Sequence, residues 1–169
     1  MKSEEFRSIQ IPIKELYRNK PEAAFITLKA EGNLGENVSC KVETGKALRE
    51  AGLHKATGGS GLLACSGDML LEALVACAGV TLSAVATSMG IEIISGIVKA
   101  EGDLDFRGTL GVSKEVPVGF KEIRLNFNIE SPAPEEQLQK LIQLTERYCV
   151  VFQTISKPCK VEISYESAA

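Results

Sequence analysis

With 169 residues the chain fits one domain, long enough to bury a core without disulfide staples. Its 44% hydrophobic and 24% charged content excludes a disordered or fibrous chain. The net charge of −3, with no run of Lys and Arg, excludes the basic face that nucleic acid requires. Met1 to Lys14 mixes charges with isolated apolar residues and lacks the unbroken apolar stretch of a signal peptide. Residues 1–20 are therefore read as an extension, residues 21–169 as the domain, and the protein as cytoplasmic.

In chain order, Ala23 to Lys29 and Val38 to Val42 are predicted strands joined by a turn over Gly32 to Asn37, a hairpin. Thr44 to Ala51 reads as a short helix ended by Gly52, and Thr57 to Gly61 as a flexible loop without the Lys-Ser/Thr ending of a phosphate loop. Ser66 is placed as the cap of a long helix running to Met89, with Asp68 in its first turn and Gly90 as its stop. Ala73 to Ile91 carries no charge, but Thr81, Ser83, Thr87 and Ser88 interrupt it and no Lys or Arg anchors its flanks. A buried central helix is the reading, and no membrane span. Ile91 to Phe106 and Lys121 to Glu130 are the next strands. The second places Ile123, Leu125, Phe127 and Ile129 on one face. Ser131 to Pro134 breaks the chain, Glu135 begins a second helix, Pro158 closes it, and Val161 to Tyr165 alternates as a last strand. The order is that of an α+β fold.

Five cysteines, an odd number, occur with a single histidine, His54, and no C-x-x-C pair. That pattern favours neither a disulfide framework nor a zinc site, and no cofactor is expected. Helical spacing places Cys77 on a stripe with Leu70, Leu74, Thr81 and Val85, and Cys149 on one with Leu138, Leu141, Ile142 and Thr145. Both thiols therefore sit on apolar faces. On register alone they are two inert core cysteines or a communicating redox pair. Cys40 shares a strand face with Val38 and Val42, Cys65 precedes the positive end of the long helix, and Cys159 follows Pro158.

The run Cys65-Ser66-Gly67-Asp68-Met69-Leu70-Leu71-Glu72-Ala73-Leu74-Val75-Ala76-Cys77-Ala78-Gly79-Val80-Thr81-Leu82 resembles the central-helix motif of the OsmC/Ohr family. Tyr148 to Thr154 is similar to that family's second cysteine segment. The resemblance spans roughly Pro21 to Glu166. It implies an intertwined homodimer whose sheets wrap a pair of long central helices, with each reactive site at the subunit boundary. It also implies thiol-dependent hydroperoxide reduction: Cys77 attacks the peroxide, Cys149 resolves the sulfenic acid as a disulfide, and an external dithiol restores both. The alternative is a dimer without peroxidase chemistry that binds a small apolar ligand.

The chain departs from the family pattern in two places. Active peroxidases there hold the thiolate with an arginine from the hairpin turn, itself held by a glutamate ahead of the central helix. Here Glu31 to Glu36 contains no arginine, and Gly67 stands at the glutamate position. Arg49 is the first candidate for the missing cation, with Arg18, Lys55 and His54 behind it, and Glu72 reads as a surface or interface charge.

Overall fold

The computed structural model describes residues 3–34, 40–42, 52–157, 159–165 and 167. Helix α1 (Ser3–Asn19) leads through a 3-10 turn (Pro21–Ala24) into strand β1 (Phe25–Leu34) and then β2 (Cys40–Val42). A second 3-10 turn (Lys55–Thr57) precedes the long helix α2 (Ser66–Met89). Strand β3 (Ser95–Asp105), the single turn α3 (Phe106–Thr109), strand β4 (Glu122–Glu130), and helices α4 (Glu135–Tyr148) and α5 (Val150–Ser156) follow.

The four strands form one antiparallel sheet in the order β2-β1-β3-β4. Pairing with β3 carries β1 past its expected end, because Gly32 and Asn33 lie opposite Val98 and Ile97. The residues Gly32 to Leu34, read as turn from composition, are thus strand, and β1 starts at Phe25 rather than Ala23. The two expected residues Val38 and Ser39, the rest of the turn, and the helix expected over Thr44 to Ala51 lie outside the described residues. β3 is shorter than Ile91 to Phe106. Its carboxyl end is set by Asp105, whose Oδ1 accepts from the Arg107 amide at 3.1 Å and starts α3 at Phe106.

One face of the sheet carries α2, α4 and α5. Val98, Ala100 and Leu104 of β3 meet Leu71, Leu74, Val75 and Ala78 of α2 in the larger core cluster. A second cluster joins Leu82, Ala86 and Ile91 to Leu141, with Phe127 and Ile129 of β4 beneath. The other face is charged: Arg124 grips Asp103 through Nη1 at 2.6 Å and Nη2 at 3.1 Å, and Lys99 meets Glu31 at 2.8 Å. The alternation read in β4 is the reason: its even-numbered residues project away from the helices.

Among the described residues α2 is the one helix long and apolar enough to cross a membrane, and it packs as a core helix against the sheet, α4 and α5. Cys65, not Ser66, occupies its N-cap, and no side chain caps it. Gly90 ends it as expected, in the left-handed region at φ 67°, where a side chain would be strained. The glycine run before α2 is a packed turn rather than a flexible loop. Tyr17 of α1, buried, donates its hydroxyl to the Ala56 carbonyl at 2.6 Å. A Cβ on Gly59 would come within 1.8 Å of the Leu53 carbonyl oxygen, so only glycine allows that backbone approach. Val161 to Tyr165 forms no strand. It pairs with none of the described strands, and Val161, Ile163 and Tyr165 are left exposed.

Candidate functional site

Two elements bring the expected thiols together. Cys77 lies midway along α2, half-buried, and Thr81 follows one turn later on the same side of the helix. Cys149 was expected on the inward stripe of the second helix. Instead the helix stops at Tyr148, and Cys149, with φ −72° and ψ 107°, is at once the C-cap of α4 and the N-cap of α5. The extended ψ is incompatible with continuing the helix, so the chain turns a corner there. The corner is well held. The Cys149 amide donates to the Thr145 carbonyl at 2.9 Å, and its carbonyl accepts from the Gln153 amide at 2.9 Å. The Phe152 amide lies 3.5 Å from Cys149 Sγ, closing the N-cap. Thr145, fully buried, donates its hydroxyl to the Leu141 carbonyl at 2.8 Å, which satisfies its one polar group inside the core.

The break has a chemical consequence. The amides of Val151 and Val150, the first two residues of α5, act on Cys77 together with the Cys149 thiol and the Thr81 hydroxyl. Burial pushes the Cys77 thiol up, but the Val151 amide, the Cys149 thiol, the Thr81 hydroxyl and the Val150 amide outweigh it and bring it below its ordinary value. Cys149 moves the opposite way. Burial in the core and the neighbouring Cys77 sulfur push it up to about 11, against the opposing amides of Phe152 and Val151. The two thiols are thereby differentiated: Cys77 gives up its proton first, while Cys149 keeps one and donates it. A low-lying nucleophilic sulfur beside a protonated one is the arrangement that thiol–disulfide chemistry uses.

A cavity of about 230 Å³ opens beside Cys149, lined by Leu125, Phe127, Ile142 and Phe152. A neighbouring one of about 380 Å³ shares Leu125 and Phe152 with it and reaches Phe120 and Ile155. The walls of the smaller cavity are mainly aliphatic and aromatic, a surface suited to carbon chains, while the larger one also carries Lys121, Glu122 and Ser156.

No cation among the described residues acts on Cys77. Arg49, the first candidate, lies outside the described residues. His54 is committed elsewhere: its Nδ1 accepts from the Ala56 amide at 3.0 Å, and its ring stacks on Phe106 at 5.1 Å between centroids. Lys55 lies in the same turn, against Gly61, and Arg18 is in the last turn of α1. Glu72 has one carboxylate oxygen buried without a hydrogen-bond partner, and burial followed by the charge of Asp68 raises its pKa. Cys65 is half-buried at the start of α2, Cys159 is exposed, and Cys40 is in β2 with its side chain outside the described residues. Among the described residues no three His, Cys, Asp or Glu side chains gather as a metal site.

Three donors were missed by the sequence reading. The i, i+4 spacing of Cys77 and Thr81 was a usable signal for the hydroxyl. The amides of Val150 and Val151 were not readable at all, because backbone donors carry no sequence mark until the helix break is known.

The comparisons with known proteins converge on one family. The family model described as OsmC-like protein matches residues 59–164. An OsmC-like hydroperoxide resistance protein from Jannaschia sp. CCS1 superposes with a TM-score of 0.61 at 16% identity, covering 85% of this chain and 95% of that one. An OsmC-like protein from Mycoplasma pneumoniae gives 0.51 at 22% identity, covering 79% and 86%. At such identities these likenesses concern the fold. No curated protein sequence matches the chain.

Proposed function

The chain belongs to the OsmC-like family, and on that footing we propose that it reduces organic hydroperoxides through Cys77 and Cys149. The observation that carries the reading is the meeting of the two thiols in one core cluster, Cys149 buried within it and Cys77 packed against it, with Cys77 lowered and Cys149 raised to about 11. In the proposed cycle the Cys77 thiolate attacks the terminal peroxide oxygen and the O–O bond breaks. The alkoxide leaves and takes a proton from water as the alcohol, and Cys77 becomes a sulfenic acid. The Cys149 sulfur then displaces hydroxide from that sulfur, its thiol proton completing water, and a disulfide remains. An external dithiol supplies the two electrons that return both residues to thiols. No bound cofactor enters these steps.

The apolar walls beside Cys149 support an alkyl or acyl peroxide over hydrogen peroxide, each buried methylene contributing about 0.8 kcal/mol. Assembly follows from the other side of α2. Met69, Leu70 and Val80 are exposed there, with Ala73 and Ala84 between them, on a stripe that no other described element covers. A second copy of the chain covers this stripe in the proposed homodimer, and Cys77, at its border, then lies beside the subunit boundary. Stopped-flow oxidation of the reduced protein by cumene hydroperoxide tests the activity. The proposal expects Cys77 to react far faster than free cysteine. A rate equal to free cysteine's would favour the rival reading, a dimer that binds a small apolar ligand without chemistry.

A further inference from the structure

The two cavities at the site lie on either side of one pair of side chains. Leu125 of β4 and Phe152 of α5 line both of them. Helix α2 is their shared wall: Leu74 lines the larger cavity and Ala78, one turn later, lines the smaller. Cys77 falls between these two residues on the same side of the helix. Past the shared pair the cavities diverge. The smaller, of about 230 Å³, reaches the buried Thr145 and Cys149 and meets water at Glu146. The larger, of about 380 Å³, reaches Phe120 and Ile155 and meets water at the exposed Lys121, Glu122 and Ser156. Phe152 is fixed from two directions. Its amide lies 3.5 Å from Cys149 Sγ, and its ring packs against the cluster that holds Leu71 and Leu74.

We propose that Phe152, facing Leu125, determines the specificity of the site: its ring parts the cavity beside Cys149 from the larger one and sets the length of carbon chain that a hydroperoxide can bury beside the thiols. A compact substituent, short alkyl or aryl, fills the smaller cavity and is buried completely. A longer straight chain meets the ring, and its further methylenes stay in water, where they contribute nothing to binding. The same pair of side chains explains why the site holds two cavities rather than one, since Leu125 and Phe152 come from elements on opposite sides of the passage. The ligand class is therefore a hydroperoxide with a compact apolar substituent, and removing the ring should admit long-chain ones.

The proposal rests on the reading that peroxide reacts at Cys77, but its test needs no reaction, so either can fail alone. The probes are straight-chain primary alcohols from butanol to decanol, which resemble the products of the corresponding peroxides. Their binding to full-length Cys77→Ser is followed by isothermal titration calorimetry. Affinity should rise about fourfold per added methylene and then level off within the series, once the smaller cavity is full. In Phe152→Ala the rise should continue past that point, with decanol bound at least about tenfold tighter than by the parent. Phe152→Leu, which keeps an apolar side chain in the core, should move the levelling-off point in the same direction by fewer carbons, and carries the test if the alanine variant does not unfold cooperatively. Adding Ile155→Phe to either variant fills the larger cavity and should restore the parent's pattern, which locates the extra chain there. Absence of binding, a parent series that rises to its end, or a levelling-off point that the Phe152 variants leave unmoved overturns the proposal. Slow oxidation of the native protein by cumene hydroperoxide would instead overturn the reading beneath it and leave the binding series standing.

Discussion

Replacing Leu141 by alanine tests the packing that holds the Cys149 corner against α2. Leu141 is fully buried and belongs to the cluster with Leu82, Ala86 and Ile91. Its carbonyl also receives the Thr145 hydroxyl, one turn before Cys149. The substitution removes three carbons from the core, a transfer loss of about 2.4 kcal/mol at about 0.8 kcal/mol each. A cavity adds to this, since α4 is anchored by its corner and cannot collapse fully onto α2, giving about 3 to 4 kcal/mol in all. For a domain of this size that lowers Tm by about 6 to 16 °C. Urea unfolding at fixed protein concentration, with the slope compared between variants, is the assay. Val118→Ala, at a site 64% exposed, is the control and should cost under about 0.5 kcal/mol. The Cys149 thiol should also alkylate faster in Leu141→Ala, because the loosened α4 no longer shields it. A loss below about 1 kcal/mol with an unchanged slope would refute the assignment of this cluster as the clamp on α4.

Val80→Arg places a charge in the exposed stripe of α2; sedimentation should then show a folded monomer where the native chain sediments as a dimer, and identical sedimentation of the two would remove the stripe from the interface. Arg124→Ala acts on acid stability through Asp103, whose carboxyl the Arg124 hydrogen bonds, followed by Thr27, hold at about 2. A depressed carboxylate stabilises the fold above its ordinary value of 3.8, and that stabilisation is lost as pH falls through about 2. The variant should therefore begin acid unfolding at higher pH, and an NMR titration of Asp103 should move toward the ordinary carboxylate value. A titration midpoint left near 2 would exclude the arginine as the cause.

What the sequence could convey depended on whether a feature was local. Residues repeating at helical or strand spacing, such as the α2 stripe through Leu74 and Val85 or the alternation of β4, report their own packing, and the elements appear where spacing placed them. Boundaries set by a distant partner were not legible: the end of β1 depends on its pairing with Val98 and Ile97 in β3, which composition alone reads as a glycine turn. The packed turn at Gly58 and Gly59 was equally hidden, since its partner Tyr17 lies 39 residues earlier than Ala56. The last segment shows the converse limit. Val161, Ile163 and Tyr165 alternate convincingly, yet a strand exists only where an edge pairs with it. At the site, register put both cysteines on apolar faces, and only the resemblance to the OsmC/Ohr family singled them out as a pair. Their unequal acidity was not legible, because it comes from the burial of Cys149 and from hydrogen bonds to Cys77, backbone amides among them, at a helix break that the spacing of Thr145 and Cys149 had disguised as continuous helix.

The account's central claim is that Cys77 and Cys149 act as one redox unit, and peptide mapping after a single equivalent of cumene hydroperoxide tests it most directly. The fully reduced protein should yield a Cys77–Cys149 disulfide, and Cys149→Ser should stop at a sulfenic acid on Cys77 that excess peroxide drives to sulfinic acid. Cys40→Ser and Cys159→Ser should leave the disulfide intact. Recovery of Cys77 as a free thiol, under conditions that oxidise Cys65 or the exposed Cys159, would contradict the claim and leave the pair as packing.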